Sequence, residues 1–370
     1  MNDSRIAGLG EGNYWVLLCL ILVSIAAVVF SAAPAVVVKR KVTLPPAYEL
    51  KAEQPLADTS TLTVPEQIGE RSHGAKLTPR LAGSMLLHLA RTFSLHPYTP
   101  ATLFGIVFLL SGILVGYQIS DDRLVGLFLG LTFSGLYATS ACFSVNWMPK
   151  PFDGIALGLL GLTMISLKKR SLLAIMSFLS CWADERAILS LFFIALILAA
   201  WPKWERKEKL SRLLIIVASI FLYLVSLALV SWTLGWHPLD MGMIGLQPRL
   251  ACVFAPLAAW SCFEGAWIVI ILAMWSMYEK RENLWLCLLI GSVLLAVSSC
   301  VLVLDVSRAS SFAFPLIPLS CVLLKRAEIS QRELRIVIAG AAVVSLLAPN
   351  FEIVEGVAVK CLLPLQSYFL

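Results

Sequence analysis

Hydrophobic residues form long runs along this chain, and short clusters of charged residues separate the runs. The runs have the length of membrane helices, which need about 20 residues to cross the hydrocarbon core of a bilayer. The alternating strands of about ten residues that build a membrane barrel do not occur. The pattern therefore predicts an all-α, polytopic bundle of transmembrane helices with about 10 to 11 membrane segments. The predicted segments are residues 14–38, 102–119, 123–143, 153–167, 171–183, 187–201, 213–235, 251–278, 284–304, 310–324 and 335–349.

The composition supports a membrane location. Hydrophobic residues make up 59% of the 370 residues and charged residues only 14%, and the mean hydropathy is +0.85. A water-soluble domain of this composition would expose large apolar patches, so the lipid bilayer is the expected partner. The net charge of +6 does not indicate a nucleic-acid partner, because the Lys and Arg residues lie at the ends of apolar runs, where they determine orientation.

Short basic clusters predict how the chain is oriented. Positively charged short loops stay in the cytoplasm, and an alternating path places four such clusters there at once. This path puts the N-terminus in the cytoplasm and the long segment 39–101 outside. The basic residues 39–41 favour the opposite orientation, but the rule is weak for loops longer than about 60 residues. The four clusters are residues 168–170, 203–212, 280–281 and 325–335.

The chain then divides into a first helix, an external loop, a helix bundle and a tail. The small residues Ser31, Ala32 and Ala33 after the first apolar run also fit a signal peptide, but the run continues to Val38 and favours an uncleaved helix. The tail is expected outside or at the interface. The regions are residues 1–38, 39–101, 102–349 and 350–370.

The second part of the external loop predicts a short interfacial helix over residues 80–95. Apolar residues recur there at spacings of four, while polar residues occupy the other faces. Pro97 and Pro100 then end the helix before the next span. The apolar positions are Leu81, Met85, Leu89 and Phe93, and the polar ones are Arg80, Ser84, His88 and Arg91.

Residues 171–201 predict a hairpin that enters and leaves the membrane on the same side. Its arms of about 13 and 15 residues rise only about 20 Å each, less than the roughly 30 Å hydrocarbon core. The tip carries Asp184, Glu185 and Arg186. Ionised groups at this depth must be paired or face a wet cavity, which leaves a functional site and a structural salt bridge both open.

Other polar residues fall on the same predicted side or inside a span. Asp305 and Arg308 lie between two spans, and an Arg fork there suits an anionic group, although an Asp305–Arg308 pair that caps the helix is equally compatible. Arg249 ends an outer polar segment before the next span, and Arg249, Asp305 and Glu264 are further candidates for substrate binding. Glu264 lies near the middle of the span 251–278, where a carboxylate must be protonated or paired.

The sequence lacks the motifs of several enzyme classes. It contains no Walker loop, no GxSxG and no HExxH, which argues against ATPases, hydrolases and zinc peptidases. The four His residues show no helical pair spaced for a metal. Most of the nine Cys residues lie within apolar runs and are interpreted as small packing residues.

This layout resembles the GT-C class of membrane glycosyltransferases, which transfer sugars from polyprenyl-phosphate donors at the outer face. The resemblance lies in the cytoplasmic N-terminus, the single helix, the large first external loop with its interfacial helix, and the polar residues collected outside. It implies a location in the bacterial cytoplasmic (inner) membrane, and a polyprenyl-phosphate-linked sugar as partner.

The resemblance also implies roles for individual residues. A carboxylate of the first external loop would be the general base on the acceptor hydroxyl, and Asp58 is the nearest candidate. Arg186 and Arg308 would bind the lipid-linked phosphate, while Asp184 or Glu185 would orient the acceptor or a divalent cation, Mg or Mn. Two other classes stay open. The chain could be a non-catalytic component of envelope-polysaccharide assembly, or a transporter or flippase of a lipid-linked substrate with a midplane site at Glu264.

Overall fold

The computed structural model describes residues 8–32, 80–95, 99–142, 151–202, 204–234, 248–301, 306–348, 350–354 and 358–362. Their apolar sequences form helices, as expected for backbone groups that must satisfy their hydrogen bonds without water. The helices are α1 Gly8–Ala26, α2 Leu81–Thr92, α3 Thr99–Ser120, α4 Arg123–Gly135, α5 Tyr137–Cys142, α6 Pro151–Ile165, α7 Arg170–Ala183, α8 Ala187–Ala200, α9 Arg206–Leu234, α10 Pro248–Phe263, α11 Trp267–Glu279, α12 Asn283–Val301, α13 Val306–Ser311, α14 Leu316–Arg326 and α15 Gln331–Leu347. A π-helical segment, Ala27–Ala32, continues α1, and 3-10 turns occupy Ser166–Lys168 and Glu264–Ala266.

The predicted class, a bundle of membrane helices, is confirmed. Five helical segments in the described part are long and apolar enough to cross a membrane, and shorter apolar helices such as α7 and α8 accompany them. The five are Thr99–Ser120, Arg206–Thr233, Ala255–Glu279, Asn283–Val301 and Arg308–Arg326. A count of 10 to 11 crossings stays a prediction. The C-terminal tail departs from an all-α description, because β1 Asn350–Val354 pairs antiparallel with β2 Ala358–Leu362.

Glycines allow three helices to pack closely at one side of the bundle. A Cβ on Gly126 of α4 would lie 2.8 Å from the carbonyl oxygen of Ile113 in α3. A Cβ on Gly158 of α6 would lie 2.5 Å from the carbonyl oxygen of Phe104, also in α3. Small residues at such positions let membrane helices approach closely enough for backbone packing.

The segment that contains α14 lies at the centre of the bundle, and α9 lies at its edge. In the segment Arg308–Arg326, 94% of the apolar window is buried inside the protein, against 17% for Arg206–Thr233. Phe314 packs edge-on against Phe108 and Phe133, with ring centroids 4.9 and 5.7 Å away. The exposed apolar face of α9 is therefore the face expected to contact lipid.

Two predicted spans are interrupted in the structure. The predicted helix 123–143 breaks at Leu136, between α4 and α5. The predicted helix 251–278 breaks at the turn Glu264–Ala266, where Glu264 has a φ of 49°. The physical reason is a contact between the two breaks, because a Glu264 carboxylate oxygen accepts a hydrogen bond from the Tyr137 N–H at the start of α5.

The basic clusters meet at one end of the bundle, called the basic end below. Arg326 pairs with Glu282 at 3.1 Å, and Lys280 with Glu328 at 3.5 Å. Arg212 donates from Nε to the Leu167 carbonyl at 2.8 Å, which joins the start of α9 to the end of α6. The positions of the basic clusters predict that this end faces the cytoplasm.

Asp122 joins α4 to α15 at the basic end. Its carboxylate caps α4 at the Leu124 N–H, accepts a hydrogen bond from Gln331 at 2.9 Å and pairs with Arg335 of α15. Burial opposes ionisation of this carboxyl, but the hydrogen bonds from Gln331 and Arg335 outweigh it and lower the pKa of Asp122.

Candidate functional site

Asp153 at the start of α6 lies at the opposite end of the bundle and is 1% exposed. The guanidinium of Arg308 in α13 binds it through Nε–Oδ2 at 2.5 Å and Nη2–Oδ1 at 2.8 Å. Arg186 donates a further hydrogen bond from Nη2 to the same Oδ1 at 2.8 Å. One buried carboxylate therefore holds two arginines, an arrangement that a low-dielectric site makes strong and costly to break.

Asp184, at the end of α7, is fully buried and also contacts two arginines. Arg186 reaches it through Nε–Oδ1 at 2.8 Å and Nη2–Oδ2 at 2.6 Å, and Arg80 through Nη1–Oδ2 at 3.0 Å. The Arg186 backbone N–H also donates to Oδ1 at 3.0 Å, which fixes the tight turn between α7 and α8. The Phe312 ring lies 4.7 Å from the Arg186 guanidinium carbon and completes its surroundings.

Arg80, immediately before α2, also binds Glu185 at the hairpin tip. Its Nε and Nη2 donate to the two Glu185 carboxylate oxygens at 3.1 and 2.8 Å, the side-on fork that Arg forms with carboxylates. The Arg80 side chain is 9% exposed, but the Glu185 side chain is 55% exposed. This ion pair is thus the part of the cluster that reaches the protein surface.

These contacts connect six charged residues in one sequence of alternating charge, called the ionic chain below. Together the links of the ionic chain connect the start of α2, the α7–α8 tip, α6 and α13. Three guanidinium groups face three carboxylates, which leaves no formal net charge among these six. In order, the members are Glu185, Arg80, Asp184, Arg186, Asp153 and Arg308.

The α2 helix places the exposed end of the ionic chain beside an apolar surface. Arg80 and Ser84 face the protein and are buried, while Met85, Leu89 and Phe93 are exposed. This orientation suits a helix that lies on the bundle and turns its apolar face to lipid.

No family model matches the chain, and neither does any characterised protein or solved structure. The function must therefore be inferred from this geometry.

The structure brings four predicted site residues into the ionic chain: Asp184, Glu185, Arg186 and Arg308. Asp58 and Asp305 lie outside the described residues. Arg249 lies in the first turn of α10, and its side chain is not among those described. The roles predicted for all of these residues stay predictions.

Sequence reasoning missed Arg80 and Asp153. Asp153 was visible as an acidic residue in the first turn of a helix, which is ordinarily a favourable interaction with the helix dipole. Arg80 was visible on the polar face of an amphipathic helix, which ordinarily faces water. Both residues belong to the site because their charges pair with charges from distant parts of the sequence. No local sequence pattern contains that pairing.

Glu264 forms a second buried polar position, at the contact between the two helix breaks. Its side chain is 1% exposed, and Oε1 accepts from the Tyr137 N–H at 3.0 Å. Among the described residues, Oε2 has no hydrogen-bond partner. The next residue, Gly265, packs against the α15 backbone at Ser345. A Cβ at this position would overlap that backbone, so a residue without a side chain is required.

The predicted divalent cation finds no ligand set among the described residues. No group of three or more His, Cys, Asp or Glu side chains in this part could hold a metal ion. Asp153, Asp184 and Glu185 each face guanidinium groups, which occupy the oxygens that a cation would need.

Proposed function

We propose that this chain is a membrane glycosyltransferase that moves a sugar from a polyprenyl-phosphate donor to an envelope glycan or lipid acceptor at the outer face of the cytoplasmic membrane. The observation that supports the proposal is the ionic chain, which gathers three arginines at one end of a bundle of membrane helices. Charged groups in such a place are costly and mark the binding of charged substrates. The resemblance to the GT-C class connects this end to a lipid-linked sugar.

The arginines suit a lipid-linked phosphate for two reasons. A guanidinium presents paired N–H donors in a plane, which matches two phosphate oxygens as it matches a carboxylate. The exposed apolar residues Met85, Leu89 and Phe93 of α2 support a position for the site beside the region where lipid headgroups meet hydrocarbon. A donor whose tail lies in the bilayer can thus bring its phosphate to Arg80, Arg186 or Arg308.

The geometry separates the predicted catalytic carboxylates. Asp184 is fully buried between Arg80 and Arg186, so we assign it a positioning role. Glu185 is half-exposed and suits a group that meets the acceptor. Asp58, in the external loop, remains our candidate for the general base.

The transfer we propose forms one bond and breaks one. The acceptor hydroxyl oxygen attacks the anomeric carbon of the donor sugar, and the carbon–oxygen bond to the phosphate breaks, so that polyprenyl phosphate leaves. The hydroxyl proton passes to the carboxylate base. The arginines stabilise the negative charge that develops on the leaving phosphate.

Transfer from a labelled polyprenyl-phosphate sugar to acceptor lipid, measured in proteoliposomes, tests the proposal. We expect transfer by the wild type and loss of it in the Asp58→Ala, Glu185→Gln double variant. Glu282→Gln, at an exposed pair of the basic end, is the matched control and should retain activity. Unchanged transfer in the double variant would remove the assigned catalysts.

Two observations favour other functions as alternatives. Every charge of the ionic chain is paired within it, which also suits a non-catalytic component of polysaccharide assembly. In that case we expect the wild type to show no transfer in the same assay. The unpartnered Oε2 of Glu264, at breaks in two helices, suits a transporter or flippase. Movement of a labelled lipid-linked sugar across the vesicle membrane, lost in Glu264→Ala, supports that function.

A further inference from the structure

The three carboxylates of the ionic chain differ in whether they can leave their arginines. Asp153 and Asp184 are 1% and 0% exposed, so a move away from the arginines would leave each charge buried and unpaired. Glu185 is 55% exposed, so a rotation of its side chain moves its carboxylate away from Arg80 without burying it further. Its pairing with Arg80 is consequently the link that another anion can replace at small cost.

When the Glu185 carboxylate moves away, two N–H donors of Arg80 become free to bind another anion. Arg80 would then present Nε and Nη2, the two donors that now hold the Glu185 oxygens at 3.1 and 2.8 Å. Its Nη1 would stay fixed on Asp184 at 3.0 Å, so the guanidinium plane keeps its orientation. A phosphate offers the same pair of acceptor oxygens as the carboxylate that leaves.

A buried hydroxyl beside Arg80 supplies a second observation. Ser84 follows Arg80 by one turn of α2, on the same face of the helix. Its side chain is 2% exposed, and its Oγ has no hydrogen-bond partner among the described residues. Buried polar atoms are ordinarily paired, so a ligand oxygen that is bound at Arg80 and reaches this hydroxyl would complete its hydrogen bonding.

We propose that Arg80, with Ser84, is the first binding site for the phosphate of an anionic lipid, and that Glu185 occupies this site until the phosphate displaces it. This inference rests on the proposed function for the identity of the lipid, a polyprenyl phosphate. It adds a consequence for that function, because binding of the phosphate frees the Glu185 carboxylate from Arg80. The donor then releases the acidic group that faces the acceptor.

Lipid binding to the protein in detergent, measured by native mass spectrometry, tests the exchange. The probes are polyprenyl phosphate, phosphatidic acid, phosphatidylcholine and inorganic phosphate. Glu185→Gln should bind polyprenyl phosphate roughly fivefold tighter than the wild type, because a competing half-exposed charge has been removed. Arg80→Lys, which keeps the charge but loses the fork, should bind it at least about tenfold more weakly. Ser84→Ala should weaken binding in the same direction.

The controls separate the exchange from general electrostatics and from misfolding. Glu282→Gln removes the same charge at the basic end and should leave the affinity unchanged. The melting temperature of Arg80→Lys should stay within a few degrees of the wild type, since Asp184 and Glu185 keep a cation between them. Equal gains with phosphatidic acid would assign the site to phosphate-bearing lipids in general, and gains with inorganic phosphate alone would overturn the lipid assignment.

The result also distinguishes this inference from the proposed function. Weaker or unchanged binding by Glu185→Gln overturns the exchange, whether or not the wild type transfers sugar. Tighter binding by Glu185→Gln, together with no sugar transfer by the wild type, supports the exchange but contradicts the proposed glycosyltransferase function.

Discussion

Arg308 and Asp153 are 155 positions apart in the chain, yet they form a side-on pair through two hydrogen bonds of 2.5 and 2.8 Å. Both side chains are almost inaccessible to solvent, and Asp153 also holds Arg186. The pair joins α6 to α13 at the buried end of the ionic chain. Loss of Asp153 would remove the carboxylate that Arg308 and Arg186 share.

The first prediction concerns this carboxylate. Asp153→Asn keeps the shape of the side chain but leaves Arg308 and Arg186 without their shared counter-charge. Loss of one partner from a buried pair costs about 3–5 kcal/mol, so we expect a large fall in the melting temperature in detergent. The matched variant Glu282→Gln breaks a pair with Arg326 whose side chains are 37% and 34% exposed, and it should cost at most about 1 kcal/mol. Similar losses for the two variants would contradict the burial argument.

The sequence predicted the parts of this arrangement that local patterns reveal. Asp184, Glu185 and Arg186 interrupt an apolar hairpin, and Glu264 interrupts a span, so hydropathy alone identifies these four residues as unusual. Which charges meet could not be predicted, because Arg80 reaches the tip only through the way α2 lies on the bundle. The side of α2 that meets the protein carries the buried Arg80 and Ser84, while the apolar Met85, Leu89 and Phe93 are exposed, the reverse of an amphipathic helix on a soluble protein.

The two helix breaks could not be predicted for a related reason. Hydropathy runs without interruption through Leu136, and nothing local to that residue requires a helix to end there. The break depends on Glu264, 127 positions away from Tyr137, which supplies the acceptor for its backbone N–H. A pattern that extends over one turn or two contains no information about such a partner.

The second prediction concerns the close approach of α6 and α3. Gly158→Ala places a Cβ 2.5 Å from both the Cβ and the carbonyl oxygen of Phe104, and backbone there has little room to move. We expect a loss of about 1–3 kcal/mol from overpacking, seen as a lower melting temperature. Gly291→Ala is the control, because no atom lies within 4 Å of its added Cβ. It should be neutral or stabilise the protein by up to about 1 kcal/mol through helix propensity.

The third prediction concerns Glu264 as the cap of α5. Glu264→Gln retains a side-chain oxygen for the Tyr137 N–H, so its stability should lie within about 1 kcal/mol of the wild type. Glu264→Ala removes the acceptor and leaves a buried N–H unpaired, at a cost of about 1–3 kcal/mol. Thermal unfolding of both variants in one detergent checks the difference. If Gln proves as damaging as Ala, the cap is not what Glu264 contributes to stability.

The fourth prediction concerns pH and Asp122. Because the pKa of this carboxyl is lower in the folded protein than in the unfolded chain, its ionised form stabilises the fold. That contribution is complete above about pH 5 and declines as the pH falls through the lowered pKa. The melting temperature of the wild type should therefore exceed that of Asp122→Asn near neutral pH, and the gap should narrow in acid. Arg335→Gln should reduce the pH-dependent part, since it removes one of the groups that lower the pKa.

The last prediction concerns which end of the bundle faces the cytoplasm. Arg281 lies exposed at the basic end, and Thr92 lies exposed at the end of α2, the helix that Arg80 precedes. In a background with Cys252, Cys287 and Cys361 replaced by Ser, single Cys residues at positions 92 and 281 can be labelled with a membrane-impermeant maleimide. The other Cys residues of the described part are buried.

Because short basic loops stay in the cytoplasm, Thr92→Cys should be labelled in intact cells and Arg281→Cys only after the membrane is permeabilised. The reverse pattern would place the ionic chain inside and remove the outer-face location from the proposed function, while leaving the fold unchanged. Labelling of both positions from one side would instead contradict the separation of the two ends, which α6 and α7 span from the ionic chain to the basic end. The reversed pattern would therefore change the orientation assigned in the membrane. Labelling of both positions from one side would change the path assigned to the chain.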